Sequence, residues 1–203
     1  MRRQYEERPI PRAVLEQVLS CGEAAPSSKN AQPWRFHVVV DRPMLREIAQ
    51  AVSCADGVET YVPRDPRTGE PYPHYDSTAL DSARVLSEVP AAIFIENLGA
   101  FSAGRSTLLG VTRDALAGSL IGYGFELIGI GTAVENLWIA ANALGLSAAF
   151  MGDVVIAEDD VKRLLAFDGD LAGVLVLGYS LATPRPSALV RSFDDVHRVV
   201  WHV

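Results

Sequence analysis

LIGIGTAVENLWIAANALGL, residues 127–146, is the stretch on which the fold turns. A helix of this length and apolarity can span a bilayer. Glu135, Asn136 and Asn142 lie inside it, however, and a carboxylate near the middle of a membrane is costly. The composition suits a helix buried between subunits better, so no membrane partner is expected. Helical patterning extends upstream to about Thr112 and ends near Leu144, with Gly145 as the stop. Gly118, Gly122, Gly124, Gly129 and Gly131 lie along it, and each lowers helix propensity. Two readings stand: several shorter kinked segments, or one helix whose small residues let another backbone come close.

Working outward, Pro11 opens a helix with Val14, Leu15, Val18 and Leu19 on one stripe and Gly22 at its end. RFHVVV (35–40) is short and β-branched, a strand. Asp41 caps the next helix, whose inward stripe is Leu45, Ile48, Ala49 and Val52. Asp76 or Ser77 caps a helix to about Glu88, and VPAAIFIE (89–96) is a second strand. SAAFMG (147–152) is a third strand or extended segment. A short helix follows near 158–166 with Val161, Leu164 and Leu165 inward, then the strand LAGVLVLGY (171–179). Residues 56–75 and about 97–111 read as loop excursions, the first rich in proline. Strands and helices interleave without a regular βαβ count, which predicts a single α+β domain over 1–203. The last 24 residues, ending RVVWHV, are apolar enough at Trp201 to lie along a partner surface.

The chain has 203 residues, 49% of them hydrophobic and 21% charged, an apolar surplus that points to surface hidden in an oligomer. A net charge of −7 disfavours sequence-independent nucleic-acid binding, which needs a basic face to release counterions. Cys21 and Cys54 lack metal-ligand spacing and read as reduced, buried thiols. The start, MRRQYEERPIP, has no apolar stretch after its charges, so the expected location is cytoplasmic. Neither G-x-G-x-x-G after a strand nor a P-loop nor G-x-S-x-G occurs, and four scattered histidines support no zinc site. With no nucleophile or metal constellation in sight, any catalysis points to a cofactor.

AAPSSKNAQPWRF, residues 24–36, places Ser27, Ser28, Asn30 and Gln32 in a loop pinned by Pro26 and Pro33. A plain connector needs fewer residues. This run, with PIP (9–11), AVENLWIAANALGL (133–146), MGD (151–153), VLGY (176–179), Arg3 and Arg191, resembles the nitroreductase superfamily over nearly the whole chain. The resemblance implies a central, mostly antiparallel sheet flanked by helices, with a C-terminal arm wrapping the partner subunit. It also implies an obligate homodimer with FMN at the interface. Such enzymes use NAD(P)H to reduce nitroaromatics, quinones or similar flat acceptors. One branch instead dehydrogenates peptide-derived or natural-product substrates, and a low-turnover flavin-binding protein is a third reading.

The resemblance also assigns roles. Arg3 and Arg191 match the family's cationic positions for the FMN phosphate, where a guanidinium offers bidentate donors. The family's start is usually a longer R-x-S-x-R run; here Met1 falls on its serine position and Arg2 is the substitute cation. Pro26, Ser27, Ser28, Asn30 and Gln32 would hold the isoalloxazine's polar edge or the ribityl hydroxyls, while Trp34 belongs to the core. Met151 and Gly152 would present backbone N–H groups to flavin N5. Asp153 is either a turn cap or a proton donor. For the acceptor, aromatic candidates are Tyr61, Tyr72 and Tyr75 in the first excursion and Phe101, Tyr123 and Phe125 in the 99–126 region.

Overall fold

A computed structural model of the chain describes residues 4–62, 64–65, 67–72 and 76–181. Its helices are α1 (Arg12–Glu23), α2 (Arg42–Ser53), α3 (Thr78–Glu88), α4 (Arg105–Gly110), α5 (Arg113–Ala143) and α6 (Glu158–Leu165). The strands are β1 (Trp34–Val39), β2 (Ala91–Asn97), β3 (Ser147–Met151) and β4 (Asp170–Gly178). The sheet runs β1-β2-β4-β3 with every neighbour antiparallel. The α+β expectation holds, while Trp201, Arg191 and the rest of the C-terminal arm lie outside the described residues.

Alternation along the inner strands builds two cores. Ala92 and Phe94 of β2, with Val174 and Val176 of β4, face α2, α3 and α6; Ile93, Ile95, Leu175 and Leu177 face α1 and α5. Both strands are therefore apolar on nearly every residue. The α2 stripe is as expected, with Leu45, Ile48 and Val52 fully buried and Asp41 accepting from the Met44 N–H at 2.9 Å. Ser77, rather than Asp76, caps α3.

Three expectations need correction. The 97–111 excursion contains α4, with Gly99, Ala103 and Gly104 at positive φ before it. The long apolar stretch is one unbroken 31-residue helix, so the kinked reading is set aside. Its glycines divide: Gly122 and Gly129 are closely approached by Phe101 and by Ser27 and Pro33 of the same chain, whereas Gly118, Gly124 and Gly131 face open space. Cys21 and Cys54 are exposed, not buried, because one lies on the outer side of α1 and the other ends α2.

α5 is also the one helix among the described residues long and apolar enough to cross a membrane by length and composition. One side packs on α1, through Ala133, Leu137 and Ala141. The other side leaves Leu120, Ile121, Leu127 and Ile128 exposed.

Candidate functional site

Four connections lie towards one end of the sheet. Trp34 begins β1 opposite Asn97, which ends β2 opposite Asp170, the first residue of β4. Met151 ends β3 at the same side, opposite Val174. The 24–33 loop, the 98–104 loop and the 166–169 turn therefore share this rim, and the Gly152 turn is set back from it, since β3 ends opposite Val174 in the middle of β4. The outer two strands lie about 14 Å apart, three strand spacings.

The 24–33 loop is strained and heavily tied. Lys29, Asn30 and Gln32 have φ of 50°, 54° and 44°, the left-handed region that costs a side-chain-bearing residue roughly 1–3 kcal/mol. The Ser27 hydroxyl accepts from the Gln32 N–H at 2.9 Å, and the Gln32 amide donates to the Glu23 carbonyl at 3.3 Å. Thr132 of α5 donates to the Pro26 carbonyl at 2.8 Å, and the Leu98 N–H donates to the Pro33 carbonyl at 2.9 Å. Ser27 and Gln32 thus spend hydrogen-bonding capacity on the loop itself, while the side chains of Ser28 and Asn30 have no hydrogen-bond partner among the described residues. Pro26 is exposed beside them. Trp34 is 4% exposed in the core, as expected, and its indole N–H is the buried side-chain donor left unpartnered among the described residues.

The 98–104 loop is fastened by Glu126, a fully buried carboxylate of α5. One oxygen accepts from the backbone N–H groups of Phe101 at 2.6 Å and Ser102 at 2.7 Å. The other accepts from Asn97 Nδ2 at 2.9 Å and the Ser102 hydroxyl at 2.8 Å. Burial alone pushes this carboxyl up, but the bonds from Asn97, Phe101 and Ser102 outweigh it and hold it below the usual carboxylate range. Phe101, half-buried, then lies against Gly122 with Lys29 Nζ 5.9 Å from its ring centre.

Beyond this loop, Arg105 pairs with Glu158, while its backbone N–H donates to Asp170 at 2.7 Å. These groups line a cavity of about 430 Å³ with Lys162 and Asp168. On the sheet face covered by α2, α3 and α6, Glu96 is 2% exposed and meets His37 Nε2 at 2.9 Å, the Gly169 N–H at 2.9 Å and Arg35 at 3.3 Å. Gly169 is obligatory here, since a methyl on it would come within 2.4 Å of the Asn97 carbonyl oxygen.

Burial pushes Glu96 up, yet the bonds from His37 and Gly169 and the Arg35 charge bring it below the ordinary range. A depressed folded-state pKa contributes stability that is complete above the unfolded value of about 4.3 and is lost as pH falls through the folded value. Urea unfolding between pH 6 and 3.5 is therefore expected to show stability falling with acid, and Glu96→Gln, which cannot titrate, is expected to flatten that dependence. An equal slope in both proteins would assign the acid sensitivity elsewhere.

The rim brings the amide-rich loop, Phe101 and the centre of α5 together. Met151 is buried with its side chain in the core facing α2 and α3, and Gly152 turns the chain out of β3 on the far edge strand, set back from the rim. Asp153 caps nothing: its carboxylate accepts from the buried Ser82 hydroxyl at 2.9 Å. Tyr123 is half-buried, its phenol raised by burial and the charges of Asp170, Glu126 and Glu158 against the opposing Arg105. Phe125 is exposed on α5, Tyr72 is exposed beside the Arg64–Pro71 bridge, and Tyr61 packs against the core of α2 and α3. Arg2, Arg3, Tyr75 and Arg191 lie outside the described residues. Glu126, Glu96 and the Arg105 cluster were not anticipated from sequence.

A loop that offers unspent hydroxyl and carboxamide groups beside an apolar helix face suits a flat ligand with one polar edge, which is the chemistry of an isoalloxazine. The family model described as the nitroreductase family matches residues 1–179. A protein of Archaeoglobus fulgidus, described provisionally as an NADH dehydrogenase/NAD(P)H nitroreductase, is 27% identical, covering 98% of this chain and 92% of its own length. Among solved structures, an FMN-dependent nitroreductase of Clostridium difficile superposes with a TM-score of 0.62 at 17% identity, covering 100% of this chain and 94% of that one. The NADPH:FMN oxidoreductase of Vibrio harveyi, solved with NAD+, gives 0.62 at 15% identity over 98% and 75% of the two chains.

Proposed function

The chain belongs to the nitroreductase family, and from that premise we propose that it is an FMN-dependent NAD(P)H oxidoreductase, a cytoplasmic homodimer acting on nitroaromatic, quinone or similar flat acceptors. The observation that carries this reading is the strained 24–33 loop. Its three left-handed residues are held in place by bonds to α1, α5 and the 98 amide, which leaves Ser28 and Asn30 displayed at fixed positions. Strain of this kind persists where the surrounding structure over-determines it, and it concentrates at ligand clamps.

Bound FMN supplies two-electron transfer from the reduced nicotinamide to the acceptor. The chain's own residues bind and orient. The Ser28 hydroxyl and Asn30 carboxamide hold the polar edge of the ring system, and the rigid loop lowers the ordering cost of binding. Backbone N–H groups of Met151 and Gly152, at the end of β3, are our candidates for donors to N5, where charge would develop during transfer. Arg2, Arg3 and Arg191 are the proposed phosphate cations in a protein that is otherwise acidic. The exposed apolar side of α5, with its open Gly124 and Gly131, is the proposed dimer seam, and the C-terminal arm with Trp201 is proposed to extend over the partner.

Purified protein is expected to carry or take up FMN. Anaerobic NADH or NADPH is then expected to bleach its 450 nm band, and a nitroaromatic to restore it. Absence of FMN uptake overturns the proposal. Bleaching by a cyclic dipeptide but by neither nucleotide would instead identify a dehydrogenase of peptide-derived rings.

A further inference from the structure

Glu126 presents four acceptor sites' worth of negative charge to four donors and to nothing else. Its partners are themselves committed: Asn97 Oδ1 accepts from the Gly99 N–H at 3.1 Å, and the Ser102 hydroxyl accepts from the Gly104 N–H at 3.0 Å. An apolar side chain in its place would leave all four donors without their acceptor, so this carboxylate is dictated by its partners and not by its volume. What it does specify is position: the 98–104 loop can satisfy these donors in one arrangement only. That arrangement lays Phe101 on Gly122 and leaves its ring half-exposed beside Lys29, on the surface where Ser28 and Asn30 stand.

We propose that Glu126 is a positioning residue that holds Phe101 in place beside Lys29, the two forming one wall of the acceptor site, suited to a flat aromatic carrying a negative group; the inference rests on the oxidoreductase reading above. The aromatic face of Phe101 receives the acceptor's ring. The Lys29 ammonium, exposed on a rigid loop, meets its anionic substituent. Glu126 touches neither cofactor nor acceptor and acts only through the loop.

The test uses the FMN-loaded protein with 4-nitrobenzoate as acceptor, and hydrogen exchange of the Phe101 and Ser102 amides measured without FMN. Glu126→Gln keeps the shape but turns an NH2 toward Asn97 Nδ2, and Asn97 cannot flip without losing the Gly99 N–H. We expect the KM for 4-nitrobenzoate to rise about tenfold and exchange at both amides to accelerate at least tenfold, the worth of one charge-assisted hydrogen bond. The FMN dissociation constant and kcat are expected to stay within about twofold, since binding and chemistry use other residues. Asn97→Asp combined with Glu126→Gln restores a donor–acceptor match and is expected to return both KM and exchange towards wild type. A merely structural role would not produce that split or that rescue.

An unchanged KM in Glu126→Gln, with normal FMN uptake, overturns this inference alone. An unchanged exchange rate overturns the fastening itself, and loss of FMN binding in the variant would make Glu126 a general fold residue. No FMN uptake by the wild-type protein overturns the oxidoreductase reading, and the inference with it. Should Glu126→Gln fail to fold, Ser102→Ala removes one of the four donors and is expected to raise KM and exchange in parallel, about threefold each; no movement in that variant also overturns the proposal.

Discussion

Ile128→Asp is expected to leave the protein folded but monomeric, and unable to retain FMN. Ile128 is 65% exposed in the protomer, so a carboxylate there disturbs no internal packing. It does sit in the middle of a stripe: Leu120 and Leu127, and Ile121 and Ile128, are each seven residues apart, two helical turns on one face. Gly124 and Gly131 lie in the same band with open space above them, which admits a partner backbone. Solvent exposure of that band is what an isolated protomer shows and a stable dimer hides. A two-fold interface meets the substitution twice, once from each protomer. Leaving a charge buried without a partner costs about 3–5 kcal/mol per copy, enough to dissociate a micromolar dimer at any practical concentration. Sedimentation should report the mass of one chain, with a far-ultraviolet spectrum like that of wild type. A variant that stays dimeric would remove α5 from the seam.

Much of this architecture was legible in the sequence for reasons of periodicity. The α2 stripe and its Asp41 cap fell where 3.6-residue spacing and N-cap chemistry put them. All four strands lay within two residues of their expected ends, since continuous apolar runs of that length signal strands covered on both faces. The long helix was harder. Each glycine costs about 1 kcal/mol of helix propensity, yet Ile130, Ala133, Leu137 and Ala141 bury a continuous face that outweighs those costs, and no kink results.

The site was legible only in part. Turn formers and prolines marked the 24–33 loop, but nothing local foretells three left-handed residues that are not glycine; asparagine tolerates that region and lysine seldom adopts it. Glu126 did carry a signal. It stands four residues from both Gly122 and Ile130 and seven from Ala133, on the buried stripe, where a carboxylate needs donors. The donors themselves, at the end of β2 and on the loop after it, 24 to 29 residues upstream, follow no periodicity. The same holds for Arg105, whose partners Glu158 and Asp170 lie 53 and 65 residues away. Long-range polar pairing depends on where the strands end, which becomes visible once the sheet order is known.

That dependence of loop on helix is tested most severely at Gly129. A methyl group placed there would lie 3.2 Å from Ser27 Cβ and 3.4 Å from Pro33 Cγ, so the loop rests directly on the helix backbone. Alanine at 129 asks for a shift of a few tenths of an ångström; Gly129→Leu asks for the whole side chain. Either helix or loop must yield. Leucine favours the helix by roughly 1 kcal/mol over glycine, and α5 is held by its packing on α1, whereas the loop already stores strain at three residues. The loop therefore gives way. Overpacking of this kind costs about 1–3 kcal/mol of stability, so the protein should remain folded with a modestly lower melting temperature. Binding should suffer more: displacement breaks the Thr132 bond to Pro26 and moves Ser28 and Asn30 off their positions. Two hydrogen bonds to the ligand at about 1–1.5 kcal/mol each predict FMN affinity weakened roughly 30- to 150-fold. Fluorescence titration of apoprotein with FMN measures it. If Gly129→Leu binds FMN as wild type does while its melting temperature falls, the loop does not hold the flavin, and the polar groups that gather at this rim serve some other ligand.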